Sequence, residues 1–189
     1  MLQSFSRWFQ GVKQDVPLVN PEAFSQLYEL NYRSVFRYLF GLHGGPLEDI
    51  EDLTAETFIH AWRARHTFSG DTPNNATAWL LRIARRLVID NYRREQARIQ
   101  TEEELADDLP QLGPTPENLV QIGEQYETLW RLLQRLPGRQ REMLVLRYFL
   151  DWRVTQIGEY MALPENTVSV TIRRGLARLQ QEWPADKEI

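Results

Sequence analysis

Residues 77–94 read TAWLLRIARRLVIDNYRR, and the helical period of this stretch governs how the rest of the chain is understood. At ~100° per residue, Leu80, Ile83, Ala84, Leu87 and Asn91 fall on one face. Trp79, Arg82, Arg86 and Arg93 gather nearly opposite, with Arg85 at the margin and Asp90 as the single interior acid. One face is built for burial. The other is a basic stripe with an aromatic ring at its start. A phosphate backbone is the natural counterpart of such a stripe, because the planar arginine fork binds phosphate with two hydrogen bonds and stacks on bases. A solvated face whose arginine stems cover apolar surface gives the same pattern, so the flanking sequence has to decide.

Upstream, the loop HTFSGDTPNNA is rich in turn residues, and either Thr72 before Pro73 or Asn75 is a candidate cap for the arginine helix. A helix before it is expected from about Leu47 to His66. Its first turns are acidic (Glu48, Asp49, Glu51, Asp52, Glu56), which suits the positive end of a helix dipole. Leu53, Thr57 or Phe58, Ala61 and Trp62 supply its apolar stripe. An earlier helix is expected to start at Asn20-Pro21 and to run through Phe40. Phe24, Leu27, Tyr28, Val35 and Leu39 recur along it, and Gly41, Gly44, Gly45 and Pro46 are expected to break it. Residues 1–20 read as a loose leader, in which Leu2, Phe5, Trp8, Phe9 and Val12 form at most a short amphipathic segment.

Downstream, the composition changes after Arg98. TEEELADDLPQLGPTPEN is acidic, holds three prolines and one glycine, and has no sustained apolar period. Residues 99–118 are therefore expected to be a flexible linker. A second helical block is expected over 119–183, followed by a tail at 184–189. Tyr126, Leu129, Trp130, Leu133 and Leu136 form one stripe, Pro137-Gly138 a turn, and Gln140 to Phe149 a further helix.

Residues 154–181 have the form of a helix-turn-helix. Ile157 and Met161 point inward from its first helix, and Gly158 allows close approach of the second. Ala162-Leu163-Pro164 makes the turn. The second helix buries Val168, Ile172, Gly175 or Leu176, and Leu179. It leaves Glu165, Asn166, Thr167, Ser169, Val170, Arg173 and Arg174 outward, as a helix entering a major groove would. No stretch alternates as a strand does. The expected fold is all-α: two small helical domains, 21–98 and 119–183, joined by a flexible acidic linker.

The bulk numbers limit the alternatives. The chain has 189 residues with 42% hydrophobic and 25% charged, a soluble globular composition. No apolar run approaches the ~18 residues of a membrane span, and the start shows no secretory signal. Cysteine is absent, which removes disulfides and thiolate chemistry and suits a reducing cytoplasm. The net charge of −4 argues against nucleic acid until its distribution is considered. Residues 99–127 hold eight of the 26 acids and no base, so the remainder carries +4, and twenty of the 22 bases are arginine. His43, His60 and His66 have no metal-ligand partners at useful spacing. Gly41, Gly44 and Gly45 lack the lysine and strand of a phosphate-binding loop. No cofactor, metal or catalytic activity is expected.

FSQLYELNYRSVFRYLFG, EDIEDLTAETFIHAW and TAWLLRIARRLVIDNYRR together resemble region 2 of the bacterial sigma-70 family. LPGRQREMLVLRYFLDWRVTQIGEYMALPENTVSVTIRRGLARL resembles its region 4. Their order and the connector between them are similar to the small group-IV, extracytoplasmic-function type. The resemblance implies a non-catalytic promoter-specificity factor that binds core RNA polymerase and directs DNA melting. Asp49, Asp52, Leu53, Glu56, Thr57, Phe58 and Trp62 would dock on the clamp helices of the β′ subunit. Phe68, Asn74, Asn75, Trp79, Arg82, Arg85, Arg86, Arg93 and Arg94 would engage the −10 element, partly as an unpaired strand with a flipped base. Glu165, Asn166, Thr167, Ser169, Val170, Arg173 and Arg174 would read the −35 element, with region 4 also touching the β flap. The resemblance adds an anti-sigma protein to the candidate partners. Ser169 and Thr171 stand where the family commonly has a base, Arg86 where it has an amide, and Arg153 where it has a Ser or Thr cap; Asp151 or Thr155 are the candidate replacements for that cap. The rival reading is a stand-alone helix-turn-helix regulator whose first block dimerises or senses a ligand.

Overall fold

The computed structural model describes residues 20–68, 73–103 and 124–184, with side chains at 20–68, 75–94 and 128–184. Seven α-helices run through them: α1 Pro21–His43, α2 Leu47–Ala64, α3 Pro73–Glu103, α4 Glu124–Arg135, α5 Gly138–Tyr148, α6 Val154–Met161 and α7 Glu165–Glu182. A 3-10 turn, Arg65–Thr67, follows α2. No strand occurs among the described residues, which agrees with the all-α expectation. The leader 1–19, the cap candidate Thr72, the linker from 104 onward, the start of the second block at 119 and the tail from 185 lie outside them.

Asn20 caps α1 as its sequence predicts. Its backbone is extended, its Oδ1 accepts the Glu22 N–H at 2.9 Å, and Pro21 takes the first helical position. The helix does not break at Gly41. It continues to His43 and ends at Gly44, whose left-handed φ of 54° only glycine adopts freely. Gly41 has a packing role instead: a Cβ there would lie 2.6 Å from Val145 Cγ2 of α5.

Helices α1, α2 and α3 pack against one another pairwise. Val35, Leu39, Ile50, Leu80 and Ala84 are fully enclosed between them. Thr54 and Thr57 are buried too, and each returns its hydroxyl to a carbonyl one turn back, Ile50 and Leu53, at 2.7 Å. A polar bond crosses the bundle as well. The Thr77 hydroxyl donates to Asn31 Oδ1 at 2.6 Å, and Asn31 Nδ2 donates to the Leu27 carbonyl at 2.9 Å. Helix α3 starts at Pro73, so Asn75 lies inside it and is no cap. It runs to Glu103, five residues into the stretch expected to be linker. The sequence EQARIQTEE there is made largely of good helix formers, which extends α3 past the arginine stripe.

In the second module α5 is central, contacting α1, α6 and α7, so Met143, Leu144, Val145 and Leu146 are all buried in succession. The α6–α7 pair has the expected turn. Ala162 is left-handed (φ 53°), the Leu163 N–H donates to the Gly158 carbonyl at 2.9 Å, and Pro164 precedes the first residue of α7. Arg153 occupies the cap position of α6, and neither Asp151 nor Thr155 replaces it. Gln156 Oε1 accepts the Arg153 N–H at 2.8 Å, the reach-back half of a capping box.

The two modules are not separate bodies. One buried cluster runs from Leu27 in α1 through Leu133, Leu136 and Leu146 to Ile172 in α7.

A Cβ on Gly158 would sit 2.8 Å from the Leu163 carbonyl oxygen, a backbone atom that cannot swing away. Gly158→Ala gains ~1 kcal/mol of helix propensity but meets an overpacking cost of about 1–3 kcal/mol. A net fall in the melting temperature of the full chain, by a few degrees, is the expected outcome of a thermal denaturation comparison. An equal or higher value would show that the turn relaxes freely.

Candidate nucleic-acid and partner surfaces

The outward face of α3 carries Arg86, Arg93 and Arg94, all exposed, together with Asn75 near its start. Arg86 Nε lies 3.7 Å from Asp90 Oδ2, but its side chain is 85% exposed, so this pair holds it weakly and leaves the fork open to a phosphate. Arg94 Nε donates to the Asp90 carbonyl at 3.4 Å. Trp79 is half-buried, with its ring 5.1 Å from that of Phe68 and tilted 50° to it. Trp79 therefore packs, and the Phe68–Trp79 pair forms an aromatic edge beside the basic stripe. The side chain of Asn74 lies outside the described residues.

Two members of the stripe differ from this open arrangement. Arg85 donates from Nε to Oε2 of Glu142 in α5 at 3.0 Å. The guanidinium of Arg82 sits 5.7 Å from the ring centroid of Tyr160 in α6. Glu142 is itself only 3% exposed. Its other oxygen accepts the Tyr38 hydroxyl at 2.6 Å, and that hydroxyl lies 3.2 Å from Tyr160 Oη. Burial, reinforced by the Glu142 carboxylate, holds the Tyr38 phenol well above its ordinary pKa. Burial pushes Tyr160 up to about 12. Both phenols thus keep their protons at neutral pH. The hydrogen bond to Glu142 raises Arg85 further. The helical period placed Arg82 and Arg85 outward correctly, but it could not show that the second module covers that direction.

Beside this cluster, Arg141 Nη1 donates to the Leu42 carbonyl at 2.9 Å and Gln134 Nε2 reaches the same oxygen at 3.4 Å. They satisfy an end carbonyl of α1 that has no partner within its helix. Neither Glu142 nor Tyr38 was among the sequence candidates. A lone Glu in an amphipathic helix and a Tyr on an apolar stripe carry no pairing signal across more than 100 residues.

On α7, Glu165, Asn166, Thr167, Ser169, Arg173 and Arg174 are exposed and Val170 is half-buried. Val168, Ile172 and Gly175 face inward. Gly175 lets α5 approach, since a Cβ there would meet Gln140 Cγ and Leu144 Cδ1 at 3.0 Å.

The docking face of α2 needs correction. Leu53 and Thr57 are buried at 5% and 0% exposure and hold the first module together, whereas Phe58, at 4%, also lines the groove between α1 and α2. Asp49 and Asp52 are exposed, and Glu56 and Trp62 partly so. The apolar part of the surface is a shallow groove between α1 and α2. It is lined by Phe24, Tyr28 and Tyr32 of α1 and by Glu51, Ala55, Phe58, Ile59 and Trp62 of α2. Phe24 meets Trp62 edge-on at 5.0 Å, and Ile59 is half exposed. Of the apolar residues expected on this face, Phe58 and Trp62 line the groove and Leu53 and Thr57 lie in the core; Ile59 was not among those expected.

Residues 27–98 match Sigma-70 region 2 and residues 126–179 match Sigma-70, region 4, together 126 of the 189 residues. The chain belongs to the sigma-70 family. Several of the relatives it matches are named as extracytoplasmic-function (ECF) sigma factors. It is 29% identical over 165 residues to the ECF RNA polymerase sigma factor BldN of Streptomyces coelicolor, covering 87% of this chain and 62% of BldN. It is 26% identical to the ECF RNA polymerase sigma factor SigW of Bacillus subtilis, covering 85% of this chain and 89% of SigW. In fold it is similar to the sigma factor RpoE from Bartonella quintana, solved in complex with the anti-sigma factor NepR. The TM-score is 0.64 at 20% identity, over 87% of this chain and 98% of that one. No helix among the described residues is long and apolar enough to cross a membrane.

Tyr38→Phe removes one donor from a buried carboxylate without changing packing volume. It should destabilise the packing of α5 on α1 by about 1–3 kcal/mol. The check is a lower denaturation midpoint than wild type at pH 7, and an unchanged midpoint would show the bond to be dispensable.

Proposed function

We propose that this chain is a promoter-specificity subunit: it binds core RNA polymerase, directs it to promoter DNA and assists melting at the start site, with no catalysis of its own. The observation that carries the reading is the presence of both sigma regions in family order, each presenting a distinct outward polar surface. On α3 that surface is arginine beside an aromatic edge. On α7 it is the short polar and arginine set of a recognition helix. The two chemistries are complementary to different DNA. Arginines with stacking rings suit a melted −10 strand, whereas an exposed helix N-terminus suits a −35 major groove. A stand-alone regulator would leave the region 2 match without a purpose. The work of such a subunit lies in the cytoplasm, where the polymerase is. An anti-sigma protein is a further partner suggested by the bound state of the structural neighbour.

The β′ clamp helices are assigned to the α1–α2 groove, which includes Phe58 and Trp62, rather than to the buried Leu53 and Thr57. Its aromatic floor would take apolar side chains, and the neighbouring acids Asp49, Asp52 and Glu56 would meet basic ones. The β flap is assigned to region 4.

The deciding experiment is run-off transcription with core polymerase and a randomised promoter library; initiation that depends on this chain is expected, and its absence on every template would remove the reading. Within that assay, Arg93→Ala should weaken open-complex formation and lower the slope of log affinity against log salt by about 1. An unaltered salt slope would exclude Arg93 from phosphate contact. Ile59→Asp should keep the helical circular dichroism of wild type yet reduce pull-down of core polymerase about tenfold. Undiminished capture would place the docking surface elsewhere.

A further inference from the structure

We infer that Val170 of α7 selects one base of the −35 element, a thymine, by packing its isopropyl group against the thymine C5-methyl in the major groove. The inference rests on the proposed function for the placing of α7 on duplex DNA, and it adds the base that is read.

Val170 is apolar where its helix has no core to serve. At ~100° per residue, Val170 and Ala177 lie nearly opposite the inward Val168, Ile172 and Gly175. Asn166 and Arg173 stand to one side of them and Arg174 to the other. Val168 and Ile172 belong to the buried core cluster, and Leu176 and Leu179 pack against it; Val170 does neither. The polar residues around it are equally uncommitted. No side-chain hydrogen bond or ion pair within the described residues holds Asn166, Arg173 or Arg174, whereas Arg178, further along the helix, is paired with Glu182 at 3.3 Å.

A solvated helix position favours Ala, Glu, Lys or Arg, and a β-branched residue there lowers helix propensity. What valine supplies instead is stiffness. Its χ1 is held largely to one rotamer in a helix. The two methyl groups therefore stand in a fixed place before DNA arrives and lose little freedom on contact.

The chemistry of the side chain limits what it can read. An isopropyl group neither donates nor accepts a hydrogen bond. Each base pair shows the major groove its own pattern of donors and acceptors, and thymine alone adds a methyl group. Against thymine, Val170 removes apolar surface of both partners from water. Against cytosine it would cover the N4 donor, and against a purine the N7 acceptor, without offering a partner. The preference thus has an attractive and a repulsive part. The short side chains of Ser169 beside it and Ala177 two turns on leave room for the helix to lie close to the base edges. Asn166 and Arg174 are each one turn away, ~6 Å along the axis, which is about two base steps of 3.4 Å. Asn suits adenine and Arg suits guanine, so the thymine is expected within about two steps of such a purine.

The test uses the holoenzyme and the element that it selects from the randomised library. In that promoter each −35 thymine is replaced in turn by deoxyuridine, which pairs in the same way and lacks the C5-methyl group. One position is expected at which this change lowers promoter occupancy by wild type about three- to fivefold, the worth of one buried methyl-sized group. At the same position 5-methylcytosine should be bound better than cytosine. Val170→Ser, at a position outside the core, should keep the circular dichroism of wild type and bind thymine and deoxyuridine equally. Val170→Thr, which keeps one methyl group, should retain part of the difference. The slope of log affinity against log salt should be the same for wild type and Val170→Ser, because no phosphate contact is lost; a changed slope would assign the loss to the DNA backbone and overturn the inference. The deoxyuridine and 5-methylcytosine comparisons need no variant, so they decide even if Val170→Ser loses its helices. A selected element indifferent to every thymine methyl, or a deoxyuridine penalty that survives in Val170→Ser, would overturn the assignment of Val170 while the initiation observed leaves the proposed function standing. Failure of wild type to initiate on any template would instead remove the proposed function, and this inference with it.

Discussion

A carboxylate that is almost fully removed from water must be paired, and Glu142 is paired only because region 2 comes to it. Its two oxygens take a phenol from α1 and a guanidinium from α3, so a side chain of region 4 is satisfied entirely by the other module. Without that arrangement the residue would hold an uncompensated charge next to Met143 and Val145. The same approach of α5 to α1 brings Val145 against Gly41 and lets Arg141 close the end of α1 at Leu42.

The same constraint sets the logic of the surfaces. A chain that is acidic overall still offers two arginine-bearing faces, because its acids concentrate between the modules and on α2. The α7 face and the aromatic groove between α1 and α2 are exposed in this arrangement, whereas Arg82 and Arg85 of the α3 face are engaged. Under the proposed assignments, polymerase docking on the groove and duplex reading by α7 need no rearrangement of these two surfaces.

Several details of the chain serve approach rather than chemistry. Gly41, Gly158 and Gly175 each stand inside a helix at a point where another backbone or side chain comes close. Thr54 and Thr57 bury hydroxyls at no net polar cost by returning them to their own helix. Gln156 compensates for an arginine at a cap position by accepting its backbone N–H.

What the residues alone determined was everything that repeats locally. The 3.6-residue period located the helices and the inward set Leu80, Ala84, Leu87, Val168 and Ile172, and the cap and turn residues located the Asn20-Pro21 start and the Ala162–Pro164 turn. The same period put Leu53, Thr57 and Phe58 on the apolar stripe of α2, where they are buried, but it could not tell which of them border a surface groove, because α2 packs against both α1 and α3. It likewise ended α1 at Gly41 and α3 near Arg98, since a glycine used for packing and an acidic run in a helix look like breaks in one dimension. The pairing of Glu142 with Arg85 and Tyr38 was decided only by tertiary structure. Contacts spanning 57 and 104 residues depend on how two amphipathic modules dock, and no local pattern encodes that.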